Sequence, residues 1–334
     1  MATATASQGT NPATDAHDLE LLDKLAQARK DLRHQIAQRI VGQTDVVESL
    51  VAAILAGGHV LLIGVPGLAK TLMIQTLAQA LDMSYSRVQF TPDLMPSDIT
   101  GTEFLEDDGS GKKSFRFTKG PVFANIILAD EINRAPPKTQ AALLEAMQEH
   151  KVTTGGKTYT LPEPFFVLAT QNPIEHEGTY HLPEAQLDRF MFELTVGYPS
   201  KVEEELIVSQ TTSAYKAVVK PVLNAAEISE LQQLVRRMPA PPSVVEYSVK
   251  LARSTRPSEP GASPEIKKYV SYGAGPRAGQ NLVLGAKARA AMDGRSVPDL
   301  DDVKAVVKQV LKHRVVMNFQ AEAEGVTVDK LIQL

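Results

Sequence analysis

The chain has 334 residues, with 35 Lys plus Arg against 39 Asp plus Glu, for a formal net charge of −4. It contains neither Cys nor Trp, which excludes disulfides, thiol catalysis and Cys-ligated zinc and leaves few aromatic platforms for single-stranded nucleic acid. At 43% hydrophobic and 22% charged it can build a sizeable core, and its length suggests about two domains.

The longest apolar stretch, Leu50–Gly64, is broken by Gly57, Gly58 and His59, so no membrane span is expected. The first 16 residues are rich in Ala, Thr and Ser, with no basic residue ahead of an apolar run. They read as a disordered tail over residues 1–17 of a cytoplasmic protein rather than as a secretory signal. From Asp18 to Ile40 apolar residues recur at helical spacing, and a second helix is predicted over Thr44–Ala56. His59–Ile63 is a short continuous apolar run, the pattern of a strand buried on both faces. Similar runs at Ser86–Phe90, Asn125–Ala129 and Phe165–Ala169 alternate with helical patterns at Lys70–Leu81 and Lys138–Glu149, and Leu194–Val196 supplies a fifth candidate strand. Alternating strands and helices predict an α/β fold with a central parallel sheet flanked by helices. After Tyr198-Pro199 the chain reads as helices, over Lys201–Lys216, Ala225–Arg237, Ser243–Ser254, Arg277–Asp293 and Leu300–His313, joined by proline-rich connections. The expected division is an α/β core over 18–198 and a smaller all-α domain over 199–334. Residues 1–200 carry a net charge of −8 and the remainder +4, a difference that solvated surface or head-to-tail assembly would equally explain.

Gly64-Val65-Pro66-Gly67-Leu68-Ala69-Lys70-Thr71 follows the first strand and opens a helix that continues through Leu72. This is the context of a P-loop, in which backbone N–H groups and a helix N-terminus cradle phosphates. Lys70 would reach the outer phosphates and the Thr71 hydroxyl would ligate Mg²⁺. Ala69 stands where such loops usually place glycine, and a simple glycine turn capped by Lys70 is the alternative on this segment alone. Ile126–Asp130 followed by Glu131 is a hydrophobic strand ending in two acids, suited to a magnesium-bound water at Asp130 and a general base at Glu131. A third strand ends in Thr170-Gln171-Asn172-Pro173, where the Asn172 amide could orient the attacking water. His176-Glu177 and His181 are spaced wrongly for a zinc-protease helix, and Glu203-Glu204-Glu205 reads as an acidic turn near a helix start.

This order of motifs resembles the AAA+ ATPases. The segment Asp130-Glu131-Ile132-Asn133-Arg134-Ala135-Pro136-Pro137-Lys138-Thr139-Gln140, continuing to Glu149, closely resembles the signature of the MoxR family. Gly64–Thr71 with its alanine, Thr170–Pro173, Glu177–Tyr180 and Leu182–Phe190 resemble it as well, and the likeness spans roughly residues 20–315. It implies that Val41, Gly42 and Gln43 lie near the adenine. It further implies that Arg189 is an arginine finger serving the neighbouring subunit, and that Arg277 is a sensor arginine on a C-terminal lid. Read from the residues alone, Arg189 could instead pair with a carboxylate such as Glu184, and Arg277 could simply start a helix.

The resemblance also implies an ATP- and Mg²⁺-dependent hydrolase that assembles as a homo-oligomeric, hexameric ring. It would mature protein complexes in a chaperone-like manner, often beside a protein with a von Willebrand factor A domain. Hairpins expected at 98–123 and 151–161 would then face the pore or its substrate. A nucleic-acid motor shares every ATP residue; Lys112, Lys113, Arg116 and Lys119 favour it, whereas the acidic α/β half opposes nucleic acid as a partner. A small-molecule kinase is disfavoured by the Asp-Glu pair and the distant second arginine.

Overall fold

The computed structural model describes residues 16–107, 113–174, 178–213 and 217–332. The N-terminal tail up to residue 15, the turn of the first hairpin with Lys112, and His176-Glu177 lie outside these residues. Ala16 and His17, which the sequence reading placed in the tail, already belong to the first helix.

In chain order the core is built from α1 (Ala16–Ala37), α2 (Thr44–Ala56), β1 (Val60–Ile63), α3 (Lys70–Ala80), β2 (Tyr85–Gln89), α4 (Pro96–Thr100), β3 (Gly101–Asp107), β4 (Lys113–Lys119), β5 (Ile126–Asp130), α5 (Pro137–Glu149), β6 (Lys151–Thr154), β7 (Lys157–Thr160), β8 (Phe166–Gln171), α6 (Glu184–Leu187) and β9 (Phe192–Thr195). The C-terminal part adds α7 (Lys201–Thr211), α8 (Ala225–Arg237), α9 (Pro242–Ser254), α10 (Pro264–Tyr269), β10 (Val270–Tyr272), α11 (Pro276–Met292), α12 (Leu300–Leu311), β11 (Val316–Met317), α13 (Phe319–Glu324) and α14 (Val328–Ile332).

Five strands form one parallel sheet in the order β2-β5-β8-β1-β9. The apolar runs of β1, β5 and β8 lack alternation because helices cover both faces. Val60, Leu62, Leu128 and Leu168 enter one core cluster with the first three helices, whereas Leu61, Ile127, Ala129 and Val167 enter a second with α5. The first cluster continues without a break into α8, α9, α11 and α12, so the sheet and the C-terminal helices share one core. The change of pattern at Tyr198 marks a change of architecture and not a gap in packing.

The acidic turn at Glu203 is a capping box. The Ser200 Oγ accepts from the Glu203 N–H, and the Glu203 carboxylate accepts from the Ser200 N–H at 2.8 Å. The two hairpins, β3–β4 and β6–β7, lean on each other: Phe117 stacks on Tyr159 at 4.2 Å, and the Glu103 carboxylate lies against the Gly155 turn. Phe104, Leu105 and Phe115 remain exposed on the first of them.

Candidate active site

Parallel register places the functional residues at one edge of the sheet. Ile63 pairs with Gln171, and Gln89 pairs with Asp130, so Gly64, Asp130 and Asn172 all sit at the C-terminal ends of neighbouring strands. The P-loop leaves β1 at Gly64, whose N–H donates to the Gln171 carbonyl at 3.3 Å, and Pro66 and Gly67 stand exposed at its crest. Gly67 has φ +86°, a conformation that glycine adopts without cost. Ala69 has φ 55° and ψ 22°, left-handed backbone that costs an L-residue about 1–2 kcal/mol, and it caps α3. That conformation turns the first N–H groups of α3, at Lys70, Thr71 and Leu72, to the free end of the helix, where they and the helix dipole attract an anion. Lys70 Nζ donates to the Gly64 carbonyl across the loop at 2.5 Å.

The two acids are held differently. Asp130 is buried, and its carboxylate accepts from Arg87 at 3.1 and 2.6 Å and from the Thr170 hydroxyl at 2.7 Å. Glu131 follows in left-handed backbone, φ 56° and ψ 51°, which swings its side chain away from that of Asp130. Its N–H donates to Thr170 Oγ1 at 2.9 Å, so one hydroxyl fixes both acids. The Glu131 carboxylate accepts from Gln89 Nε2 at 2.8 Å and Arg134 at 3.0 Å. Downstream, the buried Gln140 amide donates to the carbonyls of Ile132, Ala135 and Tyr180. This locks the turn after Glu131 to the start of α5.

Asn172 is buried at 4% exposure; its Oδ1 accepts from the Ile174 N–H at 3.3 Å, and its Nδ2 has no partner among the described residues. A buried amide donor without an acceptor at the sheet edge that carries the P-loop fits a bound phosphate oxygen or water. Gln43, at φ 58°, donates to the Gly197 carbonyl at 3.3 Å just beyond β9, which sets Val41, Gly42 and Gln43 at the P-loop end of the sheet. The residues present therefore fit a nucleoside triphosphate with its cation.

Arg189 and Arg277 are elsewhere. Arg189 precedes β9, at the N-terminal end of the strands, and donates to the Leu144 carbonyl at 2.7 Å. Arg277, in the first turn of α11, donates to the Asp188 carboxylate at 3.1 Å. Both line a cavity of about 910 Å³ that also takes in Arg236, Arg253, Arg256 and His59. Among the described residues lining it there is no Asp or Glu. The four residues of β1, about 13 Å of strand, separate this cavity from the P-loop, a span beyond an arginine side chain. Asp188 links Arg277, on a helix of the C-terminal part, to the segment that carries Arg189. His59 at the cavity floor is fully buried: Val167 N–H donates to Nδ1 at 3.1 Å, so the ring proton is on Nε2 and donates to the Met147 carbonyl. Burial above all, with a contribution from His150, pushes its pKa down to about 4.

Comparison with known proteins agrees with this fold. The family model for the ATPase family associated with various cellular activities (AAA) matches residues 59–192, and the AAA lid domain model matches 264–333. The chain is 44% identical to Chaperone MoxR1 of Mycobacterium tuberculosis over 299 residues, covering 89% of this chain and 78% of that one. It belongs to the MoxR family of AAA+ ATPases. Protein MoxR of Methylorubrum extorquens is 33% identical over 297 residues, covering 84% of this chain and 85% of the relative. A crystal structure of a candidate ATPase from Cytophaga hutchinsonii superposes with a TM-score of 0.87 at 41% identity, covering 94% of each chain. The AAA+ architecture is thus the expected one, a parallel sheet flanked by helices with a helical lid, and MoxR membership carries a nucleotide-binding, chaperone-like role.

Sequence reasoning gave no role to Arg87, Gln89, Arg134 or Thr170. Thr170 stood inside the quoted Thr-Gln-Asn-Pro motif, so its place was visible although its bond to Asp130 was not. Arg87 and Gln89 alternate along β2, and only the pairing of β2 with β5 brings them to the acids.

Proposed function

We propose that this MoxR chain hydrolyses ATP in a cytoplasmic, hexameric ring and uses the cycle to remodel protein partners, with every ATP site shared by two subunits. One subunit, through its α/β core over 18–198, supplies Lys70 for the outer phosphates and Thr71 and Asp130 for Mg²⁺, the latter through water. Glu131 takes the proton from the attacking water as Asn172 orients it. The next subunit supplies Arg189 from its core and Arg277 from its lid, over 199–334, to the phosphoryl oxygens that gain charge in the transition state.

The observation that carries this reading is the separation of the parts: both arginines line a cavity, with no Asp or Glu among its described lining residues, at the end of the sheet opposite the P-loop. A guanidinium there meets an anion brought by a neighbour, and a finger supplied in trans is worth about 10³-fold or more in rate. The exposed Phe104, Leu105 and Phe115 on the first hairpin favour contact with an apolar polypeptide segment over a phosphate backbone. A partner with a von Willebrand factor A domain is the protein class that this reading favours.

The test mixes Arg189→Ala with Lys70→Ala protein and measures ATP turnover. Each is expected to be inactive alone and partly active together, because the mixture forms junctions with an intact P-loop and an intact finger. Full activity of Arg189→Ala alone, or no rescue where subunit exchange is demonstrated, refutes the shared site.

A further inference from the structure

The segment that carries Arg189 is gripped from the lid. Arg314 lies three residues beyond α12, and its side chain is only 2% exposed. All five of its N–H donors find acceptors. Nε donates to Asp188 Oδ1 at 2.7 Å; one terminal nitrogen donates to the carbonyls of Val310 at 2.5 Å and Met191 at 3.2 Å; the other donates to the carbonyls of Asp188 at 3.1 Å and Phe190 at 2.6 Å. The adjacent His313 donates from Nε2 to the same Phe190 carbonyl at 3.0 Å. Arg277 takes the second oxygen of the Asp188 carboxylate.

Three consecutive features follow from this list. The carbonyls on both sides of Arg189, at Asp188, Phe190 and Met191, are fixed by a residue of the lid. The guanidinium has no donor left for a phosphate. The Asp188 carboxylate is divided between a buried arginine that cannot leave and a half-exposed one, Arg277, that can.

We infer that Arg314 is a positioning residue for the finger: it ties the backbone around Arg189 to the lid, so that the reach of Arg189 toward the neighbouring ATP is set by the lid's position. The inference rests on the shared-site reading above. The physical reason for arginine is the fork. A lysine ammonium has three donors on one atom and cannot span acceptors spread over four residues. Because the guanidinium's donors are all taken by protein acceptors, its loss acts on the chemical step and leaves ATP binding in place.

The test uses the full chain with Arg314→Lys, and with Asp188→Asn, which keeps the acceptor's shape and drops its charge. Melting temperature is recorded first, then kcat and KM for ATP, then turnover in mixtures. For Arg314→Lys we expect kcat to fall by about 10- to 100-fold, the range that an ångström-scale misplacement costs, with KM changed by less than about twofold. Mixing with Lys70→Ala should restore turnover, since the altered subunit keeps an intact P-loop. Mixing with Arg189→Ala should not, because no intact finger is present in any ring. A subunit that was merely misfolded would be rescued by neither.

If Arg314→Lys does not fold, Asp188→Asn carries the same two mixtures. The Arg189→Ala plus Lys70→Ala pair runs alongside. Rescue of that pair without rescue of the clamp variant overturns this inference alone, as does an unchanged kcat in both variants. Failure of that pair overturns the shared site and this inference with it.

Discussion

Acid should weaken the fold through His59, and the size of the effect can be worked out. The buried imidazole is neutral, with its pKa held near 4 against about 6.5 in the unfolded chain. Protonation would strip its charge of solvent and turn Nδ1 from an acceptor into a donor facing the Val167 N–H. The sign follows from proton counts. Between pH 6.5 and 4 the unfolded state binds the proton and the folded state does not, so stability falls as pH falls through that window and is unaffected above it. The full difference amounts to about 3 kcal/mol, of which about 2 kcal/mol is lost between pH 7.5 and 5.0. His313, buried against Arg314, is shifted in the same direction and adds to the effect.

The assay is urea unfolding at pH 7.5 and 5.0, followed by circular dichroism, for the unaltered chain and for His59→Asn. Asparagine keeps an acceptor for the Val167 N–H and cannot titrate. The variant starts less stable, because it leaves a void and frees the Met147 carbonyl, but its pH dependence should be shallower by about 2 kcal/mol. The contribution of His313 cancels in this difference. Equal pH dependence in the two proteins would refute the assignment of a neutral, buried His59.

Ala69→Gly removes a left-handed strain and should stabilise the chain by about 1 kcal/mol, read as a rise in melting temperature with ATP affinity retained; a lower melting temperature would contradict the assigned backbone. Thr170→Val deletes the hydroxyl shared by Asp130 and the Glu131 N–H; hydrogen bonds of this kind are worth about 1.5–3 kcal/mol, so kcat should fall by about 10- to 100-fold, and turnover within twofold of the unaltered chain would deny it a role. Glu131→Gln should bind ATP and fail to hydrolyse it, whereas rapid turnover would move the base elsewhere. The net charges of −8 on residues 1–200 and +4 on the remainder predict that the proposed oligomer loosens between 0.05 and 0.5 M salt, as measured by light scattering; an oligomer indifferent to salt would remove charge from the account of assembly.

Much of the fold could be read from the sequence because its signals are local. Continuous apolar runs between helical patterns marked the five sheet strands to within about two residues, and Thr44–Ala56 and Ala225–Arg237 were bounded as observed. Missed elements were short ones, such as α4, α10, α13 and the β10–β11 pair, where too few residues exist to show a period. Site residues divided along the same line. Lys70, Thr71, Asp130, Glu131 and Asn172 stand in or beside strands whose ends signal themselves. Arg87 and Arg314 were hidden because their partners lie 43 and 126 residues away, joined by sheet order and by the packing of the lid on β9.

The same distinction explains why the arginines needed a structure. Sequence motifs name Arg189 as a finger for the neighbouring subunit, but they do not show where in the fold it stands relative to the P-loop. The polarity of the parallel sheet adds that placement: every strand end that carries the P-loop and the acids faces one way, and Gly58, His59 and Arg189 face the other. Two faces that complement each other at opposite ends of one molecule make a head-to-tail contact, which closes into a ring when the rotation per subunit permits. On the proposed reading, hydrolysis in one subunit then alters what Arg189 and Arg277 of the next have to hold. Since Asp188 joins both arginines to Arg314, that change is delivered to the lid of the second subunit, whose core is continuous with the sheet carrying its own P-loop. On that reading, coupling around the ring passes through one carboxylate with two arginines on it.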